Sequence, residues 1–528
     1  MKKIFIGIAA IVAISLGSAC KKFLDQAPLD KVSLDQFYKS RMDIDAGIAG
    51  MYSAFQQMMI GESQFRNRYT HWGEARSDNY MGSGYAGNTE IENEMNSLSA
   101  GNTWTDWTPL YITIGRANLN IKFIPRAAEF ESQKALVTPQ IINDYLAQSY
   151  AMRAICYFYV VRLWGDAPIR VEPYLDTAED PEKPRESSEK IFNEIIIPDL
   201  EKAYSLITKN ATPNVFYIGE GAICAALADV YMWRKDYPNA IKWFGNLKKA
   251  KAPTGKVFGG TSMNDLQPKA SWNSQFVTPA SSPESIWNIH WDFTKNACAC
   301  MAGASAAVNN APIVIDIFLF NQWRADQNTK DIRKKATFDF TKLERDRVWK
   351  YYLGAYAAAD PTLPAGSTGT YTVAATDRAT DDNVYPVMYR LSDQYLLYAE
   401  ALNKTGRQAE SLQYLNFIRV RAGLDPYTAA SAEITTNGVI DADKLEDAIL
   451  EERHIELFAE GKRWFDLVRT DHVIKVMDPI VRQRQVLANI PADQVTGWGS
   501  DKRRYLLPIN RKVLNSSSKL YQNPPYTD

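Results

Sequence analysis

The stretch GEGAICAALADVYMWRKDYPNAIKWF, residues 219–244, limits the possible fold more than any other part of the chain. Its apolar residues return at helical intervals, so it forms a hairpin of two helices joined by a short turn. Ala228 and Ala240 are small enough to let two helices approach closely, and Tyr231, Tyr237 and Phe244 are large enough to fill the groove between hairpins. LLYAEALNKTGRQAESLQYLNFIRVRAGL, residues 396–424, repeats the idea with Ala399, Leu402, Gly406, Ser411 and Leu415. A third helical stripe runs from Leu146 through Tyr150, Ala154, Tyr157, Phe158 and Val161 and stops at WGDAP, where Gly165 and Pro168 break helix. A fourth helix is expected from Ser187 to Leu206, capped by Ser187 or Ser188.

The two hairpins carry the spacing of tetratricopeptide repeats. The chain is therefore expected to be mainly α, a scaffold of helical hairpins interrupted by an insertion. Residues 1–19 read as a signal segment, 20–250 as an N-terminal region with hairpins, 251–380 as the insertion and 381–528 as a C-terminal region with a hairpin and a closing tail. The insertion is rich in Gly, Ala, Ser, Thr and Asn and poor in helical period, and it holds Trp272, Trp287, Trp291, Trp323 and Trp349. It reads as a loop-rich lobe with short helices. The segment from Gly82 to Asp106 has the same character.

The 528 residues carry a formal net charge of −1, with the two signs well mixed. Such a chain has no basic excess to neutralise the phosphates of a nucleic acid or an anionic membrane. MKK, an apolar run and then GSA precede Cys20, the layout of a secretory signal too short to span a bilayer. A cysteine directly after the small residues marks a lipidation site, although Gly17 occupies the position where such signals favour an aliphatic residue. Cys156 and Cys224 fall in apolar helical patterns, and Cys298 and Cys300 are too close in sequence to bridge without strain.

The chain has no GxSxG, HExxH, P-loop or GxGxxG motif. Its four histidines, His71, His290, His454 and His472, include a single ExxH, and a di-iron site needs two. Glu452, Glu456 and Glu460 fall in line at i, i+4 spacing. Paired carboxylates can hydrolyse a glycosidic bond. A row on one helix face fits a buried ion network better, with Arg390, Arg419, Arg453 or Arg463 as partners.

FLDQAP after Cys20, WTPLYITIGRANLNI (107–121), AQSYAMRAICYFYVVRLWGDAPI (147–169), PRESSEKIFNEII (184–196), YRLSDQYLLYAEALN (389–403), EERHIELFAEGKRWFDLVR (451–469), and YLLPIN with QNPPY at the end follow one another along the chain. Together they resemble the SusD/RagB family of outer-membrane nutrient-binding lipoproteins. The resemblance implies a tetratricopeptide-like scaffold under a loop-rich binding lobe, anchored at the cell surface. It implies a partner, a SusC-like TonB-dependent transporter over which the protein acts as a lid. It also implies an oligosaccharide or peptide ligand and no catalysis; no motif in the sequence calls for a cofactor or a metal. A sugar offers ring faces to aromatics and hydroxyls to polar side chains, so candidates are aromatics in polar, loop-like surroundings. These are Tyr80 with Asp78 and Asn79, Tyr85, Trp104, Trp272, Trp291 and Trp323. Trp107, Trp164 and Trp464 lie inside the shared motifs and read as scaffold.

Overall fold

The computed structural model describes residues 37–61, 67–176, 178–296, 311–326, 330–341, 343–357, 361–362, 369–373 and 384–527. The signal segment and Cys20 lie outside them, as do Cys298 and Cys300.

Helices dominate, and each packs on its neighbours in the sequence. Helix α1 (Arg41–Gln56) lies against α2 (Thr108–Phe123), α2 against α3 (Pro139–Trp164), and α3 against α4 (Ile197–Leu206). Helix α5 (Glu220–Trp233) pairs with α6 (Tyr237–Leu247), and α7 (Leu391–Lys404) with α8 (Gln408–Ala422). The two sequence hairpins are thus real hairpins, and α6 packs on α7 although the insertion separates them in sequence. This succession of antiparallel pairs is the tetratricopeptide-like scaffold.

The ends of these helices follow from their sequences. Ser187 caps a short helix, Ser188–Ile191, by accepting from the Lys190 amide at 3.2 Å, and the chain runs on through a π turn into α4. Helix α3 stops at Gly165, whose φ of +75° with ψ of −118° suits only a residue without a side chain. From Ala147 to Trp164 it is buried on nearly every side, so its apolar stripe widens around the helix, and its two buried arginines are paired, Arg153 with Asp199 and Arg162 with Asp229.

Strands are few and short, all in two-stranded antiparallel ladders among the described residues. One ladder ties the insertion to the scaffold. Ser285–Asn288 pairs with Val387–Arg390, and α7 begins at the next residue.

A buried charge network locks the same junction. Helix α9 (Ala442–Glu456) ends at Glu456, so Glu460 lies beyond it in a turn where Ala459 (φ +63°) and Gly461 (φ +69°) reverse the chain. Glu456 receives Arg421, Arg390 at 2.7 Å and Arg333 at 3.0 Å. Glu452 takes Arg333 at 2.6 Å and Arg419 at 3.3 Å, and Glu460 takes Arg390 at 2.7 Å and Lys350. Glu284 adds Arg421 at 2.6 Å and Arg390 at 3.3 Å. Arg390 and Arg419 are among the partners expected from the sequence. Arg453 and Arg463 bind elsewhere, to Asp393 and Asp466 and to Asp78. Glu456 is 0% exposed, out of reach of any glycosidic bond.

Glycine permits one further close contact. A side chain on Gly73 would sit 2.3 Å from the Gly461 carbonyl oxygen, so only glycine fits there. The neighbouring Glu74 accepts from the Gly461 amide at 2.6 Å and the Lys462 amide at 3.1 Å.

Candidate functional site

Seven of the eight ligand candidates are buried. Asp78 forms a two-pronged pair with Arg463, both contacts at 2.8 Å. Burial raises its carboxyl group, but Arg463 and His454 outweigh this and hold it far below the usual range. Asn79 donates to Glu74 and faces His454 Nε2 at 2.6 Å. Tyr80 packs 5.4 Å from Phe458, and Trp323 lies 4.5 Å from Phe338 and 5.7 Å from Phe458. These four candidates do converge, around His454 and Phe458, but inside the core. Trp104 stacks on His71 at 3.8 Å, and Trp272 meets Phe276 edge-on at 5.3 Å under Lys350. Trp291 is also buried. The physical reason is common to all seven. Their polar neighbours are satisfied by buried partners or placed on the far side of the chain, so polarity in the sequence does not mean solvent around the ring.

Tyr85 is the exception, at 62% exposed. Its loop is fixed at one side, because the Ser83 amide donates to the Pro312 carbonyl at 3.0 Å and the Ser83 hydroxyl oxygen caps the Tyr85 amide at 3.0 Å.

A second aromatic surface escaped the sequence reading. The last turn of α1, the loop Asn214–Tyr217 ahead of α5, and the strand Ser285–Asn288 with His290 enclose a cleft of about 360 Å³. Tyr217 is 44% exposed there and meets Tyr52 edge-on at 4.9 Å. Tyr52 holds the loop in place: its hydroxyl accepts from the Ile218 amide at 2.8 Å and donates to Gln148 at 2.9 Å. Phe216 stands edge-on to His290 at 4.7 Å. Burial lowers the His290 imidazole, which keeps it neutral near pH 7. Phe55 stacks on Trp287 at 5.4 Å beneath.

The polar floor of this cleft is Asn288, 0% exposed. Its amide nitrogen donates to the Tyr385 carbonyl at 3.2 Å, and its backbone amide donates to Val215 at 2.8 Å. Its side-chain oxygen has no partner among the described residues. Aromatic rings at the edge and an unused acceptor at the base suit a ligand with an apolar face and hydroxyl donors. The signal in the sequence was the Phe216–Tyr217 pair, flanked by Pro213 and Asn214 just before a helix.

No group of three or more His, Cys, Asp or Glu side chains among the described residues could hold a metal ion.

Two family models match the chain: "SusD family" over residues 351–526 and "Starch-binding associating with outer membrane" over residues 22–232. SusD-like protein P38 of Formosa agariphila is 26% identical over 99% of each chain. A SusD-like protein of Bacteroides ovatus is 23% identical, with 87% of this chain and 81% of that one covered. Among solved structures, a SusD superfamily protein of Bacteroides thetaiotaomicron superposes with a TM-score of 0.67 at 20% identity, covering 93% of this chain and all of that one. A laminarin-binding SusD-like protein does so with a TM-score of 0.66 at 20% identity and the same coverage. The model over 22–232 ends within the first hairpin, the model over 351–526 begins within the insertion and takes in the second hairpin, and these relatives share most of their length with the chain: the chain belongs to the SusD/RagB family.

Proposed function

We propose that this protein captures oligosaccharides at the outer surface of the outer membrane and passes them to a partner TonB-dependent transporter, over which it acts as a lid. Cys20 is its lipid anchor. Among the described residues no helix is long and apolar enough to cross a membrane. Capture is by binding, without turnover.

The observation that carries this reading is the cleft at Tyr217, lined by that exposed ring and by a fully buried Asn288 whose side-chain oxygen has no partner among the described residues. Stacking takes the ring face of a sugar and Asn288 takes a hydroxyl. The Tyr85 loop supplies a second exposed ring. A laminarin-binding protein of similar fold supports a glycan as the ligand class, and the model description "Starch-binding associating with outer membrane" supports the location.

Calorimetry of the mature chain against laminarin and starch oligosaccharides, beside a panel of peptides, tests the ligand class. A glycan is expected to bind with no release of reducing ends. Binding of peptides alone, or hydrolysis of the glycan, refutes the proposal. Fatty-acid labelling lost in Cys20→Ser tests the anchor.

A further inference from the structure

A larger cavity lies away from the Tyr217 cleft, between the segment Met95–Ser99, the loop that follows helix α10 (Val473–Leu487), and the C-terminal Pro525–Thr527. It holds about 720 Å³, within the range of small-ligand sites. Among the described residues that line it, Arg504 is the one cation and there is no carboxylate.

Two of its lining residues carry a buried polar group without a partner among the described residues. Asn96 is held with φ +54°, and its amide nitrogen donates to the Trp498 carbonyl at 3.0 Å, which leaves its side-chain oxygen as a free acceptor. The Trp498 indole N–H is a free donor. The Trp498 ring is itself fixed, 5.5 Å from Trp464 and 5.7 Å from the Arg76 guanidinium. Arg504 stands over the Tyr526 ring at 5.8 Å and reaches the Asn96 carbonyl only at 3.4 Å.

Buried donors and acceptors are normally paired, so a lone donor and a lone acceptor in one wall define what complements them. A single hydroxyl group both donates and accepts, and neighbouring hydroxyls on a ring do so at adjacent points. Tyr526 and Trp498 add aromatic surface for the ring's apolar side. One water can bridge a single such gap, but the volume and the two walls fit a larger polyhydroxylated ligand.

We propose that this cavity is a second sugar-binding site, in which Asn96 accepts from a hydroxyl, Trp498 and Arg504 donate to oxygens, and Tyr526 borders the ring. It does not rest on the capture cleft, and the test keeps the two apart. In the full mature chain with labelled tryptophan, the Trp498 indole N–H resonance is identified by its loss in Trp498→Phe. It is then followed on addition of D-glucose, D-galactose and D-glucuronate. A saturable shift with at least one of them is expected, unchanged in Tyr217→Ala and weakened severalfold in Arg504→Ala, a partly exposed position. If Trp498→Phe does not fold, the resonance is identified as the indole peak that Arg504→Ala perturbs in the absence of sugar. An unmoved resonance with all three sugars, or an equal response in Arg504→Ala, overturns the proposal.

Discussion

The two ends of one short strand show the difference between a polar group that holds the fold and one that is free to bind. At the first end, Glu284, the residue before the strand, and Arg390, paired across the ladder with Ser285, enter the charge network with Glu456, Glu460 and Arg421. Every charge there has at least two partners and none meets solvent. At the other end, Asn288 faces a cleft rimmed by Phe216, Tyr217 and His290, and its side-chain oxygen has no partner. Both ends are buried and polar. What differs is whether the protein itself completes the hydrogen bonding. Completion makes a joint between insertion and hairpins, and incompletion makes a place for a ligand.

The largest effect should come from breaking the joint. Arg390→Met leaves Glu456, Glu460 and Glu284 short of a partner in a dry interior, and removal of one member of such a set costs about 3–5 kcal/mol. Chemical denaturation should show this loss. A change below about 1 kcal/mol contradicts the view that the network is tightly coupled.

Acid should weaken the same region next. Burial raises the Asp393 carboxyl, but Lys462 and Arg453 outweigh it and hold it at about 2. Burial also raises Glu456, and Arg421, Arg390 and Arg333 more than offset this, so it lies well below its ordinary value. Both folded-state values are depressed. Their stabilisation is therefore present above the unfolded-state values near 4 and is lost as the pH falls through the folded ones. For Asp393 alone this is about 2–3 kcal/mol. Glu74 works in the other direction: burial raises it to about 8, so its contribution is full at acid pH and is lost as the pH rises through 8. Thermal melts should pass through a maximum near about pH 5 and fall steeply below about pH 4. A profile flat from neutral pH to about pH 3 would count against this pairing.

The smallest effect is expected at Tyr85. Its ring is open to solvent, and Tyr85→Ala should leave stability within about 0.5 kcal/mol of the parent. It should weaken glycan capture by about 0.5–1 kcal/mol, the contribution of one stacking ring. Titration of the variant measures it, and an unaltered affinity removes the loop from the site.

The helical scaffold was legible because its signal is local. Period, small residues and caps such as Ser187 act within a few turns, and the hairpins at 219–244 and 396–424 form where the spacing placed them. The carboxylate row was legible as an ion network for the same reason. Its partners Arg333, Lys350 and Arg421 were not, because two of them reach α9 from the insertion across more than a hundred residues. The site was less legible still. Asp78 and Asn79 beside Tyr80 read as solvent-facing, yet their partners Arg463 and His454 come from the far end of the chain. Phe216 and Tyr217 become the wall of a cleft only through Tyr52 and the returning strand, contacts that no local pattern records.

The most direct test sets the two ends of the strand against each other in one experiment. Melting temperature and affinity for the bound glycan are measured for Tyr217→Ala and Glu456→Gln alongside the parent chain. Tyr217→Ala should lose affinity about fivefold with its melting temperature unchanged, as expected for one stacking ring. Glu456→Gln should melt far lower and, below that temperature, bind as the parent does. A Glu456→Gln chain that melts normally but has lost its glycan, or a Tyr217→Ala chain that binds undiminished, would contradict the account.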